Sequence, residues 1–297
     1  MARSKTRILG SACGMARILG AADTLRKAAF SRASLVAGHE DPMVAFKAWM
    51  DRAKLGFSGL ADAVLPPLCL SCGRGVDAHG TLCGACWGQV DFIERPWCAV
   101  TGLPFAYEAG EGAVSALALA HPPPYARARA ALRYSDASAR LVHRFKYSDR
   151  MEAAPAFARW LVRAGADLLD GADMVVPVPL HRRRLFSRRF NQSAELSRAV
   201  ARLAGLAYEP ELLVRTRATR PQVGLTGDQR RRNVARAFGV REGAEARLQG
   251  RKIVLVDDVM TTGATVEACS RALLKAGAAE VSVLCLARVV PAGGASI

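Results

Sequence analysis

Long apolar runs are absent from this chain. Among its 297 residues, no aliphatic segment approaches the roughly 18 consecutive apolar residues that a membrane-spanning helix requires. The N-terminus also lacks the continuous apolar core that precedes the cleavage site of a secreted protein. We therefore expect a soluble, cytoplasmic protein, whose 51% of hydrophobic residues suffice for one large domain with a small module attached.

A nucleotide-binding P-loop is also missing, and aromatic residues are few. Because no G-x-x-x-x-G-K-[ST] sequence occurs, the strand that ends on two aspartates, Asp257 and Asp258, is not the acidic motif of a P-loop nucleotidase. Aromatic residues make up 6% of the chain, so little surface is available for stacking nucleic-acid bases, although Phe186 and Phe190 lie among arginines.

Lysine is absent from residues 181–236, which contain fourteen arginines and four acidic residues. With an excess of six positive charges in residues 1–60, this segment accounts for the whole net charge of +16. Guanidinium groups bind phosphate or pyrophosphate oxygens in pairs, so the segment suits that ligand. A nucleic-acid contact or a solvated surface would carry the same charge, and charge alone does not separate the three.

Two C-x-x-C pairs with ten residues between them contain four of the eight cysteines. This spacing supplies four thiolates to one tetrahedral ion, and four protein ligands leave no open position for catalysis. A redox pair or structural disulfides are the alternatives, but disulfides are rare in a reducing compartment. We therefore predict a structural Zn²⁺ site formed by Cys69, Cys72, Cys83 and Cys86.

A third pair of this kind is incomplete. Cys98 opens the sequence CAVTG, in which Thr101 stands where a second cysteine would complete C-x-x-C-G. We expect no second zinc unless Cys98 or His79 joins the first site. The remaining cysteines, Cys13, Cys269 and Cys285, lie in apolar surroundings and are expected to be small buried hydrophobic residues.

Aliphatic runs alternate with helical patterns through the C-terminal half. This alternation predicts an α/β fold with a parallel sheet covered by helices on both faces. In such sheets, ligands bind beyond the carboxyl ends of the strands. The predicted helices are 150–169, 191–205 and 264–276, and the predicted strands are 174–180, 252–256 and 281–289.

The domain organisation follows from composition. Residues 1–60 are basic and contain a short sequence repeat at 6–10 and 16–20. A helix on a membrane surface would have this composition. A loosely ordered extension, which is the interpretation we favour, would have it too. A helical stretch at 43–64 ends before two prolines. The expected parts are an extension at 1–60, a zinc ribbon at 61–104, a connector at 105–124 and an α/β domain at 125–290. The connector is Ala-rich from 113 and ends in HPPPY, so we expect it to be stiff and extended.

The segment IVLVDDVMTTGATVEA at 253–268 carries the candidate site. A helix starting near Thr265 would present free N–H groups and a favourable dipole to a phosphate, with hydroxyls from Thr261, Thr262 and Thr265 and a flexible backbone at Gly263. Asp257 and Asp258 would repel a phosphate unless they face a neutral polyol. A ribose 5-phosphate meets both conditions. A phospho-acceptor aspartate would leave the threonines unexplained, and a purely structural turn would leave adjacent carboxylates without a ligand.

These residues also resemble a known family. VLVDDVMTTGAT resembles the phosphoribosyl pyrophosphate (PRPP) loop of type I phosphoribosyltransferases. CLSCG…LCGACW, HRFKYSDR, VPVPLHRRRLFSRRFNQS and QVGLTGDQRRRNVARAF are similar, in this order, to the ComF family. The resemblance covers roughly residues 60–290 and implies a type I phosphoribosyltransferase fold with an N-terminal four-cysteine zinc ribbon.

The resemblance also implies roles for individual residues. Asp257 and Asp258 would hold the ribose hydroxyls and favour positive charge on the sugar, and Thr261, Thr262, Gly263, Ala264 and Thr265 would hold the 5-phosphate. The loop after the strand VPVP would face pyrophosphate and Mg²⁺, and a segment further along would close over the site. The loop residues are His181, Arg182, Arg183, Arg184, Arg188, Asn191 and Gln192; those of the closing segment are Gln222, Arg230 and Asn233.

Two functions follow from the resemblance. The first is a Mg²⁺-dependent phosphoribosyltransferase with an unknown acceptor. The alternative is a non-catalytic protein that binds PRPP and single-stranded DNA in natural competence, together with a helicase-like competence protein. Two positions depart from the family pattern, since Arg189 replaces a common glycine and Thr101 an expected cysteine.

Overall fold

The computed structural model describes residues 66–147, 151–180, 190–217, 226–291 and 295, without the side chains of five of them: Tyr147, Met151, Gly227, Asp228 and Arg230. The chain divides into a unit at Met1–Leu65 and a compact unit at Pro66–Ile297, and all described residues belong to the second. The basic extension and the helix predicted at 43–64 lie outside the described residues. No described helix is long and apolar enough to cross a bilayer.

Five parallel strands form the central sheet, in the order β1-β7-β6-β2-β3. A separate antiparallel pair, β4 and β5, lies outside it. The strands are β1 (Ala128–Arg133), β2 (Met174–Pro177), β3 (Ala207–Tyr208), β4 (Leu213–Arg215), β5 (Phe238–Val240), β6 (Lys252–Met260) and β7 (Glu280–Arg288).

The described helices include two short ones before β1, and the others follow β1 along the chain. They are α1 (Gly84–Trp87), α2 (Ala116–Ala120), α3 (Asp136–Tyr147), α4 (Ala154–Ala164), α5 (Ala166–Leu169), α6 (Gln192–Ala204), α7 (Gly227–Val234), α8 (Glu245–Leu248) and α9 (Ala264–Lys275), with a 3₁₀ turn at Met151–Ala153.

The two sides of β6 belong to two different hydrophobic clusters. Ile253 and Leu255 pack in one cluster with residues of α9, while Val254 and Val256 pack in the other with residues of α4 and α6. All four side chains are at most 1% exposed. Burying one such side chain contributes about 1.5 to 3 kcal/mol, so the uninterrupted aliphatic run holds helices on both faces. The predicted doubly covered parallel sheet is confirmed.

The helix predicted at 150–169 is interrupted at Gly165. The chain forms a 3₁₀ turn, then α4, then the short α5. A Cβ atom at Gly165 would lie 2.7 Å from Leu284 Cδ1 on β7, so any side chain here would require the packed Leu284 to shift.

The zinc-ribbon region docks on the outer strand β1. Ile93 N donates to Ala131 O, and Ala128 N donates to Val100 O at 2.7 Å. Gly102 has φ +66°, and a Cβ there would lie 2.2 Å from Ala128 O, so only glycine allows this approach. The ribbon therefore continues the packed structure of the α/β domain.

Part of the predicted connector is helical. Residues Ala116–Ala120 form α2, and the Ser115 side chain accepts a hydrogen bond from Ala118 N at its start. The alanines favour a helix once Ser115 caps it, which outweighs the extended conformation suggested by the prolines that follow.

Candidate functional site

The acidic pair lies within β6. The strand was predicted to end at residue 256, but its pairing with β7 continues through Asp257 opposite Cys285 and Val259 opposite Ala287. The two carboxylates are therefore held on a backbone that is fixed by a neighbouring strand. A rigid strand positions them more precisely than a loop would.

Each carboxylate of the pair has a partner from another element. Ser193 Oγ, in the first turn of α6, donates to Asp257 Oδ1 at 2.9 Å, and Asp258 N donates to the same oxygen at 2.9 Å. Lys146 Nζ, near the end of α3, lies 2.8 Å from Asp258 Oδ2. Three elements that are distant in sequence thus meet at the acidic pair.

The acidic pair is electrostatically strained. Burial, together with the charge of Asp258, raises the pKa of Asp257 to about 7, although Asp258 N, Ser193 and Lys146 each oppose the rise. Near neutral pH, Asp257 is therefore present in both its protonated and its ionised form. A carboxyl poised in this way accepts hydrogen bonds from sugar hydroxyls or adjusts to a charge that develops beside it.

The turn after β6 opens the N-terminus of α9. Gly263 has φ +81° and is the N-cap residue, so no side chain caps the first N–H groups of this 12-residue helix. Thr261 and Thr262 are exposed on the same turn, and the helix begins at Ala264. Gly263, where a flexible backbone was expected, takes a positive φ, and the turn leaves N–H and hydroxyl donors available to an anion.

One cleft of about 1750 Å³ contains both features. Asp257, Asp258 and the threonines of the turn line it together with Lys146 and Ser193. This volume is large enough for a sugar phosphate and a second molecule. The structure thus brings together the residues that sequence assigned to ribose and to phosphate.

The residues predicted on the pyrophosphate side fall into two groups. His181, Arg182, Arg183, Arg184 and Arg188 lie outside the described residues. Asn191 accepts a hydrogen bond from Ser193 N at 3.2 Å as the N-cap of α6 and donates to Val178 O, while the buried Gln192 lines the cleft and donates to Lys146 O at 3.3 Å. Both hold α6 against neighbouring elements at the cleft.

The predicted closing segment is partly helical. Gln222 and the Arg230 side chain lie outside the described residues. Asn233 belongs to α7, whose first turn has a capping box between Thr226 and Gln229. The α7 residue Arg231 lines the cleft.

Sequence reasoning assigned no role to Lys146, Ser193 or Arg288. Lys146 and Ser193 contact the acidic pair, and Arg288 at the end of β7 lines the cleft. The motifs HRFKYSDR and FNQS already contained two of these residues. The membership of these two residues in motifs that resemble the family was the available signal.

The four predicted zinc ligands form one cluster. The Sγ atoms of Cys69, Cys72, Cys83 and Cys86 all lie within 4.8 Å of one another, and Cys72 Sγ is 3.7 Å from Cys83 Sγ. A tetrahedral zinc with Zn–S bonds of about 2.3 Å requires a separation of about 3.8 Å, so the donor set of this four-cysteine cluster fits structural zinc.

The segment that begins at Cys98 has a different arrangement. Buried Cys98 accepts hydrogen bonds at Sγ from Thr101 N, Ser115 N and Ser115 Oγ, at 3.3 to 3.5 Å. Burial raises the pKa of this thiol, but the donors outweigh burial and lower it to about 7. Among the described residues, the four-cysteine cluster is the one group of three or more His, Cys, Asp and Glu side chains close enough to hold a metal.

Known protein families match both the zinc-ribbon region and the α/β domain of the chain. The double zinc ribbon domain family matches residues 60–117, and the phosphoribosyl transferase domain family matches residues 194–294, which include β6, α9 and β7. DNA utilization protein YhgH of Escherichia coli O157:H7 is 34% identical over 232 residues, which are 76% of this chain and 99% of that protein.

Two further similarities are more distant. Competence protein F of Haemophilus influenzae is 29% identical over 216 residues, which are 71% of this chain and 92% of that protein. The solved structure of the allosteric regulatory enzyme of purine biosynthesis is 22% identical, with a TM-score of 0.32 over 48% of this chain and 30% of that one.

Proposed function

The chain belongs to the ComF family, which includes DNA utilization protein YhgH and competence protein F, and we propose that its cleft binds PRPP or a related ribose 5-phosphate with Mg²⁺. One observation carries the proposal: an acidic pair and an uncapped helix N-terminus line the same cleft. The first suits the neutral hydroxyls of ribose, and the second suits its 5-phosphate.

The proposed reaction transfers the phosphoribosyl group to an acceptor. The bond from the anomeric carbon to pyrophosphate breaks through a transition state with oxocarbenium character. Asp257 and Asp258 hold the ribose hydroxyls and favour the positive charge that develops on the sugar. The acidic pair also supplies the oxygen donors that Mg²⁺ prefers, and the ion, when bound, neutralises charge on the leaving pyrophosphate.

Ligand binding is tested by thermal unfolding. PRPP with Mg²⁺ should raise the melting temperature of the full chain, since a ligand that binds only the folded state stabilises it. The double variant Asp257→Asn, Asp258→Asn should lose this rise, while Asp170→Asn, an exposed aspartate at the end of α5, should keep it. An unchanged melting temperature in the wild type would contradict the assignment of the cleft.

Catalysis is tested separately by pyrophosphate release. Release should rise above background when the correct acceptor is added from a panel of nucleobases, amines and DNA ends. If PRPP binds but none of these acceptors releases pyrophosphate, the protein is a PRPP-binding protein instead of a transferase.

The second candidate is the DNA-binding member of a competence system. A groove of about 900 Å³ beside the four-cysteine cluster is lined by Arg74, Arg140 and Arg144, and by Tyr134, which also lines the main cleft. Basic grooves with an aromatic side chain suit single-stranded DNA. Affinity for oligonucleotides should fall steeply with added salt and weaken in Arg74→Gln with Arg144→Gln; binding that does not depend on salt would exclude this groove.

A further inference from the structure

A buried arginine lies in the main cleft on the far side of the acidic pair from β2. Arg288 is the last residue of β7 and pairs in register with Met260 of β6. Its side chain is only 4% exposed, yet it lines the cleft. An ionised side chain at this depth requires a compensating partner.

The described hydrogen bonds of Arg288 do not include a carboxylate. Its Nη1 donates to Thr101 O, and its Nε has no hydrogen-bond partner. Within the described part of the chain, no carboxylate is paired with Arg288. Two other cations that line the cleft have carboxylate partners, since Lys146 pairs with Asp258 and Arg271 pairs with Glu267.

The hydrogen bond to Thr101 O explains only part of why a charged arginine is buried at this position. A guanidinium has five N–H donors, and a carbonyl oxygen supplies no charge. A buried cation that tethers one turn would cost several kcal/mol without a counter-charge. The arrangement is explained if an anion enters the cleft from solution and pairs with Arg288.

Apolar side chains line the same cleft as Arg288. They are Leu103, Leu117, Tyr125, Pro122, Pro123 and Pro124, and the polar residues His121 and Glu267 also line it. Leu117 is 62% exposed, so its apolar side chain is largely open to solvent. Such walls fit a flat, largely apolar molecule that carries its charge at one edge.

The position of Arg288 in the sheet also suits the second substrate of the proposed transfer, which is the acceptor. In the sheet, β6 lies between β2, whose following loop is the proposed pyrophosphate side, and β7 with Arg288. In a displacement at the anomeric carbon, the acceptor enters opposite the leaving group. The acceptor lone pair forms the new bond, the electrons of the broken bond leave with pyrophosphate, and the acceptor proton passes to water.

We propose that Arg288 and these apolar walls form the acceptor subsite, and that the acceptor is a planar ring bearing a carboxylate. This inference rests on the proposed phosphoribosyl transfer. Arginine binds a carboxylate through two parallel N–H···O bonds, and a flat ring would lie against the leucine and proline walls.

Matched probe pairs test the proposal. Calorimetric titration uses the full chain with Mg²⁺ and ribose 5-phosphate, and compares orotate with uracil and nicotinate with nicotinamide. Within each pair, the carboxylate should bind about 10- to 100-fold more tightly, as expected for a charge-assisted bidentate contact. Equal affinities within both pairs would overturn the proposal.

Variants locate the subsite. Arg288→Gln should remove the preference for the carboxylate and keep the melting-temperature rise with PRPP. Because Arg288→Gln also weakens the Thr101 contact and can fail to fold, Leu117→Glu provides a second test. Leu117 and Leu119 are both exposed on α2, but only Leu117 lines the cleft. Leu117→Glu should weaken orotate binding about tenfold through charge repulsion, and Leu119→Glu should leave it unchanged.

The outcomes separate the two proposals. If ribose 5-phosphate and PRPP cause no melting-temperature rise in the wild type, the proposed function fails. If they do, and Leu117→Glu binds orotate as tightly as Leu119→Glu does, the proposed function stands and the acceptor subsite is wrong.

Discussion

At the scale of single residues, the acidic pair is a site where function opposes stability. Asp257 has a pKa of about 7 because it is buried and lies beside Asp258. The folded chain therefore binds this proton more tightly than the unfolded chain does. As the pH rises from about 4 to about 7, the proton is lost first from the unfolded chain, and the free energy of unfolding falls.

Asp257→Asn should consequently stabilise the protein above pH 7. The asparagine keeps an oxygen for Ser193 Oγ and Asp258 N but removes the buried charge. We expect a gain on the order of 3 kcal/mol at pH 8 that disappears near pH 4, measured by urea unfolding across this range. Asp170→Asn, on the exposed surface, is the control. A gain that does not change with pH would show that the charge of Asp257 is not its source.

Lys146→Gln should have the opposite effect. Lys146 pairs with Asp258 through side chains that are only 18% and 14% exposed, and its charge lowers the pKa of Asp257. Without the lysine charge, the pKa of Asp257 should rise further. The free energy of unfolding then continues to fall up to a higher pH. We expect a loss of about 1 to 3 kcal/mol in urea unfolding at pH 8.

The control for Lys146 is Lys275→Gln, at the exposed end of α9. Adding Asp258→Asn to Lys146→Gln should recover part of the loss, since the unpaired charge is then removed. Equal losses in the single and the double variant would argue against the ion pair.

The residues of the site differed in how far sequence could predict them. The acidic pair and the threonines follow one another in the chain, so their order alone indicated a sugar phosphate. Lys146 and Ser193 reach the same carboxylates from other elements, with Ser193 Oγ bonding an aspartate 64 positions away. Spacing along a single sequence does not report such contacts.

At the scale of elements, the approach of the ribbon to β1 depends on Gly102. Its φ of +66° disfavours other residues, and a Cβ would collide with Ala128 O at 2.2 Å. Gly112 provides a matched control, because its φ is +76° and a Cβ there would meet nothing within 4 Å.

We expect Gly102→Ala to destabilise the chain by clearly more than Gly112→Ala does. Gly112→Ala adds only backbone strain of about 1 kcal/mol, whereas Gly102→Ala also separates the ribbon from β1. Chemical unfolding of both variants measures the difference. Similar losses would show that the docking contact contributes little.

The elements themselves were predicted where burial on both faces produced aliphatic runs, as in β6 and β7. Strand β1 was missed because its sequence ARAALR combines small and charged residues, and buried Arg129 is neutralised there by Asp167 at 2.7 Å. The glycine at 165, where the predicted helix is interrupted, packs close to Leu284 on β7, and this contact between distant parts of the chain is not visible in the local sequence.

At the scale of the whole molecule, the double zinc ribbon match contains two halves of different construction. The first half has the complete four-cysteine cluster, and the second has Cys98 with hydrogen-bond donors at Thr101 and Ser115. We expect one zinc per chain by elemental analysis. Cys83→Ser should lose it, and Cys98→Ser should keep it. Two zinc ions per chain would contradict this division.

The hydrogen-bonded half is the one that borders the cleft, through Thr101, Leu103 and Leu117. This segment beside the cleft is held by hydrogen bonds from Thr101 and Ser115 to Cys98 Sγ and not by the four-cysteine cluster. Ligand binding in the cleft should therefore not depend on zinc. Folded protein without zinc should bind the same molecules in the cleft as zinc-loaded protein does.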